Sequence, residues 1–210
     1  MNKALKLIEL QNVSLTINAK AIINNMSLII KSTGVSVITG HNGAGKSTLL
    51  RLMAGFIKPS KGRIIYHEVD NKLPIGFVFQ KSVLLNRSVK NNLLHALTCA
   101  KYQDAGENKK LIKEILEKNN VKHLTEMPAQ KLSIGEQQII SILRALIIKP
   151  SILYLDEPTS SLDPQYTKIV EDLIMKTSKH TKIVLVTQSP RHLKMFSDNI
   201  MHLAQGKINE

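Results

Sequence analysis

The chain opens with apolar and polar residues in alternation, Leu7-Ile8-Glu9-Leu10-Gln11-Asn12-Val13-Ser14-Leu15, which predicts a half-buried strand. Asn18-Ala19-Lys20 reads as a turn, and Ile22 to Lys31 as a second strand interrupted at Asn24-Asn25. Ser32-Thr33-Gly34 turns the chain into Val35-Ser36-Val37-Ile38, a β-branched run with the length of a buried strand. Thr48 to Ala54 holds good helix formers, and Gly55 supplies a stop. Lys58 to Gly62 is a turn. Arg63 to His67 and Ile75 to Phe79 follow as strands, with Asn71-Lys72-Leu73-Pro74 breaking the pattern between them.

From Ser88 the spacing becomes helical, over Val89–Ala100, Asn108–Asn119 and Ser133–Ile148. The apolar run Ile152-Leu153-Tyr154-Leu155 is again a buried strand. Pro164 to Ser178 returns to helix, Lys182 to Thr187 to strand, and Asn199 to Ile208 forms a hairpin around Gln205-Gly206. This order predicts a single α/β domain over residues 1–210. Its parallel-sheet core spans 1–84 and 151–210, with an antiparallel N-terminal β subdomain and a helical lobe inserted at about 85–150.

Composition narrows the picture a little. Apolar residues make up 43% of the 210, and no apolar run approaches the roughly 20 residues of a membrane span. Met1-Asn2-Lys3-Ala4-Leu5-Lys6 is followed by no apolar core of signal-peptide length, so the chain reads as cytoplasmic. The one cysteine, Cys99, excludes an internal disulfide and reads as a small packing residue. A net charge of +13 suits nucleic acid or an anionic surface, but the lysines are scattered and aromatics are only 4%. Nucleic acid is therefore not the expected partner.

The chemistry starts at Gly40-His41-Asn42-Gly43-Ala44-Gly45-Lys46-Ser47-Thr48, which fits the phosphate-binding pattern G-x-x-x-x-G-K-[ST] between a strand and a helix. The glycines let successive N–H groups face phosphate oxygens, and the following helix adds its positive end. Lys46 is placed to reach the β- and γ-phosphates and Ser47 to ligate Mg²⁺, so a nucleoside triphosphate is the expected ligand. About a hundred residues on, the strand Ile152–Leu155 ends in Asp156-Glu157. Alternation of faces gives the two carboxylates different tasks: Asp156 for the Mg²⁺ shell, Glu157 for the water attacking the γ-phosphate. Leu132-Ser133-Ile134-Gly135-Glu136-Gln137-Gln138 starts a helix with a capping box of Ser133 and Glu136.

Taken with Gly40–Thr48, Gln80, Asp156-Glu157-Pro158-Thr159 and Ser161-Leu162-Asp163, that last run resembles the signature of ABC-transporter ATP-binding subunits, from Leu7 to the C-terminal hairpin. The resemblance implies a P-loop NTPase core that hydrolyses ATP with Mg²⁺, two such subunits (a homodimer) sandwiching nucleotide head to tail. Ser133 and Gly135 would then touch the γ-phosphate held by the other subunit, and Asp163 would contact it across the dimer while capping the helix from Pro164. Gln80 would meet Mg²⁺ or the water and sense the permease. Three positions depart from the family pattern. Gln188 stands where a histidine is usual and cannot become cationic, which implies slowed turnover. Ile17 falls where an aromatic would stack on adenine, which costs of order 1 kcal/mol of stacking. Ile134 and Glu136 replace Gly and Gln.

The resemblance further implies transmembrane permease subunits docked near Lys81–Ser88, where Val83, Leu84 and Leu85 offer an apolar contact beside Asn86 and Arg87. The subunit would lie in the cytoplasm on the inner face of the cell membrane, with a solute-binding protein as a further partner. The stretch Ile75 to Leu93 is similar to ATPases of tungstate- and phosphate-type oxyanion importers. The alternatives are a weakly hydrolysing regulatory subunit and a soluble non-transport ABC ATPase. The DNA-repair kind usually inserts long coiled coil and the ribosomal kind usually carries two ATPase units, and this chain shows neither.

Overall fold

The computed structural model describes residues 7–31, 33–67 and 74–209. The opening Met1–Lys6, Ser32 of the expected turn, and Asn71, Lys72 and Leu73 of the expected break lie outside the described residues. β1 (Leu7–Ile17), β2 (Lys20–Lys31) and β4 (Lys61–His67) form a three-stranded antiparallel sheet in the order β2-β1-β4. The interruption expected at Asn24-Asn25 is a bulge and not a break. Asn25 takes a φ of 45° and its N–H leaves the ladder to reach Ser14 Oγ at 2.9 Å, which suits an asparagine.

The second sheet has six strands in the order β5-β6-β7-β3-β8-β9: β3 (Val35–Thr39), β5 (Ile75–Val78), β6 (Ile152–Asp156), β7 (Lys182–Val186), β8 (Ile200–Ala204) and β9 (Lys207–Asn209). The first five are parallel, and β9 closes the edge as the antiparallel arm of the expected hairpin. Both faces of this sheet are covered, so its strands are apolar throughout. The period of two still sorts their side chains. Ile152 and Tyr154 of β6 and Val184 and Val186 of β7 pack with β1, β2 and α1 (Lys46–Met53). Leu153, Leu155, Ile183 and Leu185 pack on the opposite face with α2 (Val89–Cys99), α3 (Ala105–Lys118), α4 (Ile134–Leu146) and α5 (Pro164–Thr177). One helix escaped the sequence pattern, α6 (Pro190–Met195), whose six residues are too few to display a period.

Cys99 corrects an expectation. It lies on the exposed side of α2 with its Sγ 3.7 Å from His95 Nδ1, and packs into no core. Tyr154 is the largest of the fully buried side chains. Its hydroxyl donates to the Met53 carbonyl at 3.0 Å and meets the Tyr66 hydroxyl at 3.2 Å, joining β6, the end of α1 and β4. Among the described residues no helix is long and apolar enough to cross a membrane.

Lys182 is buried at the start of β7, donating to Thr33 O and Ser36 Oγ, both at 2.8 Å. Burial lowers its ammonium from 10.5 to about 8. Between those values the unfolded chain holds a proton that the folded chain has released. Stability therefore rises with pH over that window, by up to about 1.4 kcal/mol per unit. Urea denaturation should show the wild type gaining on Lys182→Met from pH 8 to 10.5. A gap that stays constant over the window excludes the linkage.

Candidate nucleotide-binding site

Parallel strands deliver their C-terminal ends to one edge, and the order β5-β6-β7-β3 makes four of those ends neighbours. The residues leaving them are Gln80, Asp156-Glu157, Thr187-Gln188 and the loop from Gly40. The loop curls into α1, whose N-cap is Gly45 with no side-chain cap and no acidic residue in the first turn. Its positive end is thus unneutralised from within, which fits an anion. Gly40 is required here: its φ is 152°, and a Cβ would come within 2.2 Å of the Leu203 carbonyl oxygen of β8. Ala44 is buried and donates its N–H to the His41 carbonyl at 3.2 Å, while His41, Asn42 and Gly43 are exposed and Thr48 is half-buried in the first turn.

Lys46 is buried and donates to the Gly40 and His41 carbonyls at 3.0 and 3.1 Å, with Glu157 Oε1 at 3.8 Å. Ser47 Oγ donates to Asp156 Oδ1 at 2.9 Å, closing 109 residues of sequence. Burial pushes the Asp156 carboxyl above its usual 3.8, and the Ser47 bond with the charges of Arg51 and Lys46 pulls against it. Ser47, Asp156 and the Gln80 amide oxygen make an all-oxygen donor set, the chemistry that Mg²⁺ takes.

Glu157 departs from the expected alternation. β6 ends at Asp156, and Glu157 adopts a left-handed φ of 45° while its N–H bonds the Val186 carbonyl at 2.9 Å. This backbone turn, not the strand pleat, gives the two carboxylates different directions, and a non-glycine residue held there is strained. Gln80 Nε2 approaches Glu157 Oε2 at 3.5 Å, a long hydrogen bond. Gln188 Nε2 donates to Gly40 O at 3.0 Å and to Asn42 Oδ1 at 2.8 Å, so its amide braces the phosphate loop.

The remaining expected residues stand apart. Ser133 caps α4, and the capping box is complete: the Ser133 N–H and Oγ each donate to Glu136 Oε2 at 2.8 Å, and Glu136 N–H returns to Ser133 Oγ at 3.2 Å. Ile134 is 65% exposed at that helix start. Gly135 is forced by a contact that the sequence did not signal, since a Cβ would lie 2.2 Å from the Tyr166 ring. Asp163 caps α5 by accepting from the Tyr166 N–H at 2.9 Å. Ile17, 42% exposed, ends β1 opposite Lys20 at the hairpin tip. Among the described residues none of Ile17, Ser133, Gly135 or Asp163 hydrogen-bonds the phosphate loop. A cavity of about 290 Å³ lies between Gln80 and Glu157 on one side and the start of α4 on the other, lined by Ser82, Ile134, Gln138 and Leu162 among others.

A family model described as ABC transporter matches residues 23–160. The chain is 34% identical over 208 residues to the tungstate uptake system ATP-binding protein TupC of Peptoclostridium acidaminophilum, covering 97% of each. It is 35% identical over 201 residues to the zinc import ATP-binding protein ZnuC of Photorhabdus laumondii, covering 95% of this chain and 75% of that one. Among solved structures it is similar to a dimeric ATP-binding cassette in a post-hydrolysis state bound to ADP and Pi. There the TM-score is 0.80 and the identity 26%, over 97% of both chains.

Gly40→Ala sets a backbone carbonyl against a new methyl in a left-handed conformation. It should destabilise the fold by about 2–4 kcal/mol in urea denaturation. A loss below about 0.5 kcal/mol would show that the loop and β8 can part.

Proposed function

The chain belongs to the ABC transporter family, and from that membership and the site geometry we propose that it is the ATP-binding, ATP-hydrolysing subunit that energises a membrane transporter. The observation that carries the proposal is the Ser47–Asp156 hydrogen bond. It brings the phosphate loop and the paired carboxylates into one site with Lys46, Glu157 and Gln80 around it. In this reading Gly40–Thr48 cradles the triphosphate with backbone N–H groups, and Lys46 offsets the charge gathering on the β- and γ-phosphate oxygens. Ser47, Asp156 and Gln80 hold Mg²⁺, which supplies Lewis-acid neutralisation when bound. Glu157 orients a water toward the γ-phosphorus and accepts its proton as the bond to the β-phosphate oxygen breaks, leaving ADP and inorganic phosphate.

Two copies work head to tail, the start of α4 with Ser133 and Gly135 meeting the γ-phosphate held by the other copy and Asp163 joining across the dimer. The likeness to a dimeric cassette supports this arrangement. Ile17 packs on the purine without an aromatic ring. The lobe of residues about 85–150 docks permease subunits, and Val83, 56% exposed just after Gln80, is an apolar contact for them. The subunit works on the cytoplasmic face of the membrane. The cargo is a small oxyanion delivered by a solute-binding protein, on the likeness to the tungstate uptake protein. A similar identity to a zinc import protein supports a cargo chosen by the partner chains and not by this subunit.

One observation favours a second reading, a weakly hydrolysing regulatory subunit. The Gln188 amide is committed to the loop's Gly40 and Asn42. Hydrolysis assays on the purified chain with Mg²⁺ separate the two. Glu157→Gln should lower kcat by at least about 100-fold while ATP binding persists, and Gln188→His should raise it. A Glu157→Gln variant that hydrolyses at the wild-type rate removes Glu157 from its role. Wild-type turnover equal to that of Gln188→His removes the regulatory reading.

A further inference from the structure

Beside α5 a fully buried imidazole is bonded to two of the strand-end segments that enter the site. His192 of α6 has Nδ1 3.0 Å from Thr187 Oγ1 and Nε2 3.5 Å from Thr159 Oγ1. Nε2 is also 3.5 Å from Glu171 Oε1. Glu171 is itself buried in α5 and lies 2.8 Å from the Arg191 guanidinium. Burial lowers the His192 pKa below 6.5, Glu171 opposing and Arg191 reinforcing the shift, so the ring is neutral at pH 7. A neutral imidazole has one donor and one acceptor. Thr187 Oγ1 already accepts the Ser189 N–H at 3.0 Å. The hydroxyl keeps a second lone pair and its own proton, so it can pair with Nδ1 in either tautomer of the ring. The imidazole–hydroxyl bond lies one residue before Gln188, with the Glu171 carboxylate near the ring but accepting no hydrogen bond from it.

We propose that His192 is a positioning residue that holds Gln188 on the phosphate loop, acting through Thr187. This rests on the reading of Gly40–Thr48 as the nucleotide site. Thr187 follows β7 directly, and its side chain is the last one buried before Gln188 emerges at the surface. Without the imidazole the hydroxyl keeps only the Ser189 N–H, and the Thr187 backbone bond to the Ile38 carbonyl is left to set the angle at which Gln188 leaves the sheet. The Gln188 amide must reach Gly40 O and Asn42 Oδ1 together, at 3.0 and 2.8 Å. A small rotation at Thr187 breaks one or both. The 3.5 Å contact to Thr159, two residues past Glu157, ties the neighbouring strand end to the same ring. Among the described residues His192 makes no hydrogen bond to the loop, and its effect on the loop runs through Gln188.

Amide hydrogen exchange of the nucleotide-free protein tests this directly at residues 40–45. His192→Phe keeps the ring volume and loses the polar contacts. It should speed exchange there about tenfold, the weight of one hydrogen bond, as should Gln188→Ala. The double variant should exchange no faster than Gln188→Ala alone, because the first change acts through the second residue. His192→Gln, which keeps a donor and an acceptor, should restore part of the protection. If His192→Phe does not fold, Thr187→Val removes the same bond from its other end and should give the same pattern. Unchanged exchange at 40–45, losses that add fully, or faster exchange spread evenly over the whole chain would each overturn the proposal. Binding of a non-hydrolysable ATP analogue to the wild type is measured alongside. If the wild type does not bind it, the nucleotide reading fails, while the exchange pattern still decides the brace.

Discussion

Everything in the site depends on parallel strands being buried on both faces. In β6 and β7 every side chain is buried, and in β3 all but the half-buried Val35, because each alternate set is claimed by a different apolar cluster. Polar chemistry can emerge only where the strands end, and parallel strands end together. The four neighbouring ends of β5, β6, β7 and β3 then bring Gln80, Asp156, Glu157, Gln188 and Lys46 to one edge from widely separated stretches of chain. The price of so much charge in one place is moderated locally. Lys46 is met by two carbonyls and a carboxylate, and Asp156 by a hydroxyl.

That constraint also explains what could be read from sequence. The strands Val35–Ile38, Ile152–Leu155 and Lys182–Thr187 were legible because burial on both faces leaves an apolar run with sharp ends, and the helices of the lobe because their faces repeat. The phosphate loop was legible because its spacing encodes its own shape. Cys99 was misjudged because a lone small residue on a helix carries no information about which face is covered. Glu157 was expected to differ from Asp156 through the strand pleat, yet a left-handed backbone does it, and no residue type announces a strained φ outside glycine and asparagine. Gln188 was recognised as a departure, but its bonds to Gly40 and Asn42 belong to tertiary geometry alone. Tyr166 against Gly135 and His192 behind Thr187 are of the same kind. Contacts between distant segments leave no trace in local pattern.

The two ends of α1 show where such contacts lead. Its first turn is fastened to β6 through Ser47 and Asp156, and its last residue through the Met53 carbonyl and the Tyr154 hydroxyl. A helix held at both ends to the same strand has no hinge. Its eight residues cannot tilt, slide or swing without breaking a bond at one end or the other. Mechanically, α1 and β6 form one stiff beam with the phosphate loop at its tip. A displacement imposed at that tip therefore works against both fastenings at once, and β6 shares whatever movement α1 makes.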